Sequence, residues 1–268
     1  MTRGKQISLR DRALDVFPTG RTRFGDIVAE FWGPKRPSRR AVILLDGCPS
    51  FPSKQRFSAF LARKGFWVFY PRYRGTWESR GRFLARSPHE DVLLVADALR
   101  HPFRSVYEGT RIILDIEDIT VIGASFGGAA TIIASADSRI KKAIAIAPVV
   151  DWCRTDREGE SIGEFARMLD EGFPGAYRLA PRAIAKLCSG KFYSPLSVKD
   201  RLSPKKLFII HDPNDTVVPI GPTRELVREC RLPHVFLHGL GQIGAHLSAS
   251  ILMQRDVWRI VKSFLFDE

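Results

Sequence analysis

Cysteine is scarce in this chain, and long apolar runs are missing. Four cysteines occur in 268 residues, Cys48, Cys153, Cys188 and Cys230, and none stands in a C-x-x-C pair. That spacing supplies neither a zinc knuckle nor a redox motif, so isolated reduced thiols are expected. No stretch approaches the run of about 18 apolar residues that a membrane-crossing helix needs. The opening residues, MTRGKQISLRDRALD, are charged throughout and lack the apolar core of a signal peptide. No internal repeat, low-complexity tract or linker divides the chain. The expectation is a single-domain, cytoplasmic protein without a membrane span, and no metal or organic cofactor is called for.

Basic residues, by contrast, are in excess. The net charge is +13, and residues 21 to 86 hold 15 Lys/Arg against 4 Asp/Glu. Such a charge can draw nucleic acid or an anionic surface. Here it is mostly arginine spread through an alternating fold pattern, with no lysine run and no aromatic RNA-binding signature. It is read as a solvated basic face, with nucleic acid not expected as a partner.

The hydrophobic share of 44% can fill one sizeable core. DIVAEFW (26 to 32) alternates like a half-buried strand. AVILLD (41 to 46), FWVFY (66 to 70), ITVIG (119 to 123), AIAIA (143 to 147) and KLFIIH (206 to 211) are short, almost wholly apolar runs. Runs of that kind belong to parallel strands covered on both faces. HVFLHG (234 to 239) gives one more strand. Helices are expected over 53–64, 88–100, 125–136 and 221–231, with a closing helix over LSASILMQRDVWRIVKSFLF. The alternation predicts a mostly parallel, doubly wound α/β sheet. Residues 151–204 exceed what a crossover needs, and EFARMLDEGF and PRAIAKLC within them read as short helices. They are expected to form a small helical, cap-like insertion.

One motif carries chemistry. VIGASFGGAATIIA (121 to 134) sets G-x-S-x-G between a buried-type strand and a small-residue helix. That is the setting of a nucleophile elbow, in which the glycines leave room for a turn that admits no Cβ. Ser125 is the candidate nucleophile. A serine hydroxyl needs a base and the base needs an orienting acid, expected in the order Ser, Asp/Glu, His after late strands. HDPNDTVVP offers Asp215, with Asp212 as runner-up, and GQIGAHLS offers His246. His211 and His238 close apolar strands and are read as packed, while His89, His101 and His234 stand elsewhere in the expected order. Oxyanion donors are expected at the backbone N–H of Phe126 and, because Pro49 has none, at that of Cys48 or Gly47.

LLDGCPSFPSKQRFSAFLARKGFWVFYPRYRGTWESRG, VIGASFGG, YSPLSVKDRL, IIHDPNDTVVP and GAH together resemble the catalytic segments of the prolyl oligopeptidase family, in the family's order, over roughly residues 27–266. The resemblance implies an α/β-hydrolase fold, a Ser125, Asp215, His246 triad, and an oxyanion role for Cys48. The sequence departs from the family at its H-G-G-P loop. There Asp46 replaces the histidine, which adds a carboxylate at the pocket mouth, and Cys48 replaces the second glycine. About 25 residues precede the first strand, too few for the β-propeller of larger members, and no Glu-Glu pair is placed to hold a peptide amino terminus.

The function expected is therefore a serine hydrolase forming an acyl-enzyme, first a carboxylesterase on small esters. A peptidase or amidase acting on short peptides keeps the same triad. A non-catalytic binding protein with a residual triad is the alternative from another class. Arg72, Arg74, Arg80, Arg82 and Arg86 are read as solvent-facing; anionic substrates would follow if they reached the mouth.

Overall fold

In the computed structural model, residues 18–238, 240 and 244–267 are described. The charged amino-terminal stretch, and with it the signal-peptide reading, lies outside them.

The chain begins with β1 (Gly20–Phe24) and β2 (Ile27–Trp32), followed by β3 (Arg40–Leu45), α1 (Gln55–Arg63), β4 (Trp67–Pro71) and α2 (Pro88–Ala98). A short hairpin of β5 (Phe103–Arg104) and β6 (Arg111–Ile112) leads to β7 (Asp118–Ala124), α3 (Phe126–Ser135) and β8 (Lys142–Ile146). Residues 151–204 contribute α4 (Trp152–Glu158), α5 (Ile162–Arg167), a short π-helix at Met168–Gly172, α6 (Ala183–Leu187) and a 3-10 segment at Pro195–Arg201. The chain closes with β9 (Leu207–His211), α7 (Ile220–Cys230), β10 (His234–Phe236), a 3-10 turn at Ala249–Met253 and α8 (Arg255–Phe266).

Eight strands form one sheet in the order β1-β2-β4-β3-β7-β8-β9-β10. β1 and β2 pair antiparallel to their neighbours, and from β4 to β10 every pairing is parallel. The apolar runs behave as expected: β4, β8 and β9 are buried along their whole length. One face packs Ile43, Phe69 and Val121 against α2, α3 and α7. The other packs Val42, Val68 and Ile122 against α1 and α8.

The structure corrects the reading of β2 as half-buried. All six of its residues are buried, because Glu30 is covered by Arg72 at 2.8 Å and Arg21 at 3.0 Å. β1 was not foreseen. Its inward positions are Gly20, Thr22 and Phe24, and arginines occupy the outward ones, so the sequence reads polar. The closing helix is broken in two, with Gln254 in extended backbone between the 3-10 turn and α8.

Local chemistry fixes the helix starts near the site. α2 opens on a Ser87–Glu90 capping box with Pro88 in its first turn. α4 opens on Asp151, whose side chain accepts from the Cys153 and Arg154 amides, and α5 on a Ser161–Glu164 capping box.

Candidate active site

Ser125 stands between β7 and α3 with φ +56°. A left-handed conformation at a non-glycine residue costs on the order of 1–3 kcal/mol and persists only where the surroundings impose it. Here they do. The Ser125 N–H donates to Ile146 O at 2.8 Å, and its own carbonyl accepts from Gly128 N at 2.9 Å. A Cβ on Gly123 would lie 2.4 Å from Gly127 O, and one on Gly127 would lie 2.4 Å from Asp46 O. Both motif glycines are thus demanded by close backbone approach, as the sequence predicts.

β9 delivers Asp215 and the loop after β10 delivers His246. His246 Nδ1–H donates to Asp215 Oδ2 at 2.7 Å, while Asp215 Oδ1 accepts from the amides of Val217 and Val218, each at 2.9 Å. His211 Nε2 also approaches Asp215 Oδ2, at 3.3 Å, with Val218 O as its nearer acceptor at 3.1 Å. Burial of Asp215 favours the neutral acid, but the hydrogen bonds from His211 and His246 outweigh it and bring the carboxyl down to about 2. Asp212 instead accepts from Asn214 N within its own turn. The His246 loop is pinned to the Asp215 loop where Thr216 N–H donates to Gly244 O at 2.8 Å. Gly244, at φ +53°, could not carry a Cβ, which would sit 2.1 Å from Thr216 Oγ1. Ser125 Oγ makes no hydrogen bond among the described residues, so the link from hydroxyl to imidazole is open here.

A narrow cavity of about 20 Å³ lies against Ser125, lined by Cys48, Phe126 and Val149, by Trp152, Thr155, Glu160, Ile162 and Phe165 of the insertion, and by Val218. The backbone N–H groups of Phe126 and Cys48 donate to no acceptor among the described residues, which leaves both amides available to an anion. The Cys48 thiol is buried, and burial pushes its pKa well above the ordinary range, so it is no thiolate nucleophile.

Two expectations about charge need correction. Asp46 lines no part of this cavity: its carboxylate meets Lys54 Nζ at 2.8 Å and the Tyr70 hydroxyl, and its carbonyl accepts from Tyr73 Oη at 2.9 Å. The mouth therefore gains no carboxylate from it. Of the five arginines read as solvent-facing, Arg72 is buried on Glu30 and Arg74 is paired with Asp91 at 3.2 Å. Arg80, Arg82 and Arg86 are exposed as expected.

The 151–204 segment is tied to the turn at Ser125. Tyr193 Oη–H donates to Phe126 O and accepts from Ala130 N–H at 3.0 Å, bridging a turn of α3. Trp152 Nε1–H donates to Tyr193 O at 2.9 Å. On the other flank, Trp77 N–H donates to Ala176 O, Arg178 N–H to Gly75 O and Phe83 N–H to Arg178 O, at 2.7–2.8 Å. Phe51, Trp77, Phe173 and Tyr177 form an aromatic rim there.

The sequence matches the prolyl oligopeptidase family over residues 52–237. This chain belongs to the prolyl oligopeptidase family. It is a serine hydrolase with the α/β-hydrolase fold. Among solved structures, this family member resembles an esterase of Pyrococcus furiosus, with a TM-score of 0.64 at 19% identity over 90% of this chain and 85% of that one. The α/β hydrolase GrgF of a Penicillium species matches with 0.63 at 17% identity over 90% and 92%. An acylaminoacyl peptidase of Pyrococcus horikoshii matches with 0.58 at 18% identity over 92% of this chain but 39% of its own. At such identities the likeness speaks for the fold alone. No curated protein matches the sequence.

Sequence reasoning missed that Glu160 lines the cavity, that Tyr193 bridges α3, and that His211, read as packed and found so, approaches Asp215. Tyr193 had a signal, since it opens the family-like YSPLSVKDRL. Glu160 had none: it is one of several acids in DREGES.

Proposed function

We propose that this hydrolase cleaves small carboxylic esters through Ser125, His246 and Asp215. The observation that carries the reading is the strained Ser125, set against the same small cavity as two unengaged amides, with an imidazole already oriented by a buried carboxylate. Ser125 Oγ would bond to the acyl carbon while its proton passes to His246 Nε2. Asp215, ionised, would hold the Nδ1–H tautomer and stabilise the imidazolium. The amides of Phe126 and Cys48 would receive the negative oxygen, a contribution worth about 10²–10³ in rate for each donor. Return of the proton to the leaving alkoxide gives the acyl-enzyme, and a water deprotonated by His246 releases the acid. The tight cavity favours short acyl groups.

The test is labelling with a fluorophosphonate together with turnover of p-nitrophenyl esters and aminoacyl anilides. Native protein should label and hydrolyse acetate and propionate esters faster than anilides. Ser125→Ala should not label, and should lose on the order of 10⁶ in kcat. Faster anilide than ester cleavage would establish the peptidase or amidase reading instead. Equal labelling of both proteins, or none, would leave a binding protein.

A further inference from the structure

The geometry points to Glu160 as a receptor for a substrate ammonium group, making this a site for short aminoacyl groups, with glycyl, an ammonium one methylene away from the carbonyl, as the best-fitting acyl part. The inference rests on Ser125 being the nucleophile, and it names the acyl group that the cavity takes.

Among the described residues Glu160 is the one carboxylate that lines the cavity at Ser125; the other walls are Val149, Val218, Ile162, Phe126, Trp152, Phe165, Thr155 and Cys48. The carboxylate accepts no hydrogen bond and forms no ion pair among the described residues, although it is half-buried. It shares the cavity wall with Cys48 and Ser125, and the charges of Glu160 and His246 act on each other. Burial pushes the pKa of Glu160 up, His246 opposes this, and Glu164 adds to it.

Its placement is rigid. Glu160 N–H donates to Val217 O at 3.0 Å, in the loop that also holds Asp215. Gly159 packs so closely on that loop that a Cβ would lie 2.5 Å from Val217 O and 2.7 Å from Pro219 Cδ. The next residue, Ser161, caps α5, and Ile162 N–H donates to Asp156 Oδ1 at 2.7 Å. A carboxylate on backbone held this firmly, and given no hydrogen bond or ion pair by the described residues, is left to a ligand.

Size and surroundings choose the ligand. A cavity of about 20 Å³ is close to the space of one water molecule, and so of one ammonium or methyl group. An aromatic wall beside a carboxylate suits a small cation through ring faces and a charge-assisted hydrogen bond. Among the described residues no arginine lines the cavity, and Arg72 and Arg74 are committed to Glu30 and Asp91.

Glycyl and propionyl groups differ only by an ammonium in place of a methyl, so their p-nitrophenyl esters form a matched pair. After correction for spontaneous hydrolysis, kcat/KM for the glycyl ester should exceed that for the propionyl ester by about tenfold or more in native protein, and this ratio should collapse in Glu160→Gln. Circular dichroism and the melting temperature check that the variant is folded. An unchanged ratio, including one where both rates fall together, overturns the proposal and makes Glu160 an auxiliary of His246. Binding to Ser125→Ala, followed by NMR, needs no turnover: glycinamide should bind more tightly than propionamide, and adding Glu160→Gln should equalise them. Equal affinities in Ser125→Ala overturn the inference. Loss of all ester turnover with the glycinamide preference retained would instead sink the esterase reading and leave the receptor standing.

Discussion

Asp215 is ionised in the fold at a pH where a free carboxyl would be half protonated. Its pKa falls from the ordinary 3.8 to about 2, so the folded state binds the proton less well than the unfolded one. The stability it contributes is present above about pH 4 and is lost as pH falls toward 2. In acid unfolding followed by circular dichroism, Asp215→Asn should therefore show a shallower loss of stability over that interval than native protein. An identical acid limb in the two proteins would mean that the carboxylate is not held by His211 and His246 as described. At this scale the candidate site was partly legible. Ser125, Asp215 and His246 announce themselves because glycines and loop residues of fixed spacing surround them. Glu160 did not, because its place on the cavity wall comes from tertiary packing, including that of Gly159 on Val217, which no local pattern encodes; His211 was legible as a packed histidine, but its approach to Asp215 was not.

Elements are held by approaches as close as those of the side chains. Gly127 lies in α3, where alanine is intrinsically better by up to about 1 kcal/mol. The clash with the Asp46 carbonyl at 2.4 Å involves backbone that cannot swing aside, so it wins. Gly127→Ala should be destabilised by about 1–3 kcal/mol and should lose activity. Gly163 in α5 is the control: its Cβ would meet only Ser161 Oγ, at 3.9 Å, so Gly163→Ala should be neutral or stabilised by up to about 1 kcal/mol in denaturant melts. Apolar runs made the parallel strands readable, since burial on both faces leaves one composition. β1 escaped because Gly20 and Thr22 do the inward packing that valine would advertise. The break before α8 escaped because apolar residues at three- and four-residue steps continue across Gln254, where only the backbone changes direction.

Across the whole molecule, 42 basic residues face 29 acidic ones. Even complete pairing leaves an excess of like charge, which resists compaction and is screened by salt with a Debye length of about 10 Å at 0.1 M. The melting temperature should accordingly rise as sodium chloride is raised from about 0.01 to 0.3 M; a fall would mean that ion pairs such as Arg154–Glu225 outweigh the repulsion. The bridge that Tyr193 throws across α3 adds a consequence for anyone recombining parts among relatives. The 151–204 segment and the turn at Ser125 share a hydroxyl, so they should be exchanged as a pair. A transplanted cover without its own phenol at that spot would arrive with a hole beneath the serine, and swaps that begin after residue 194 should succeed where swaps of the complete segment fail.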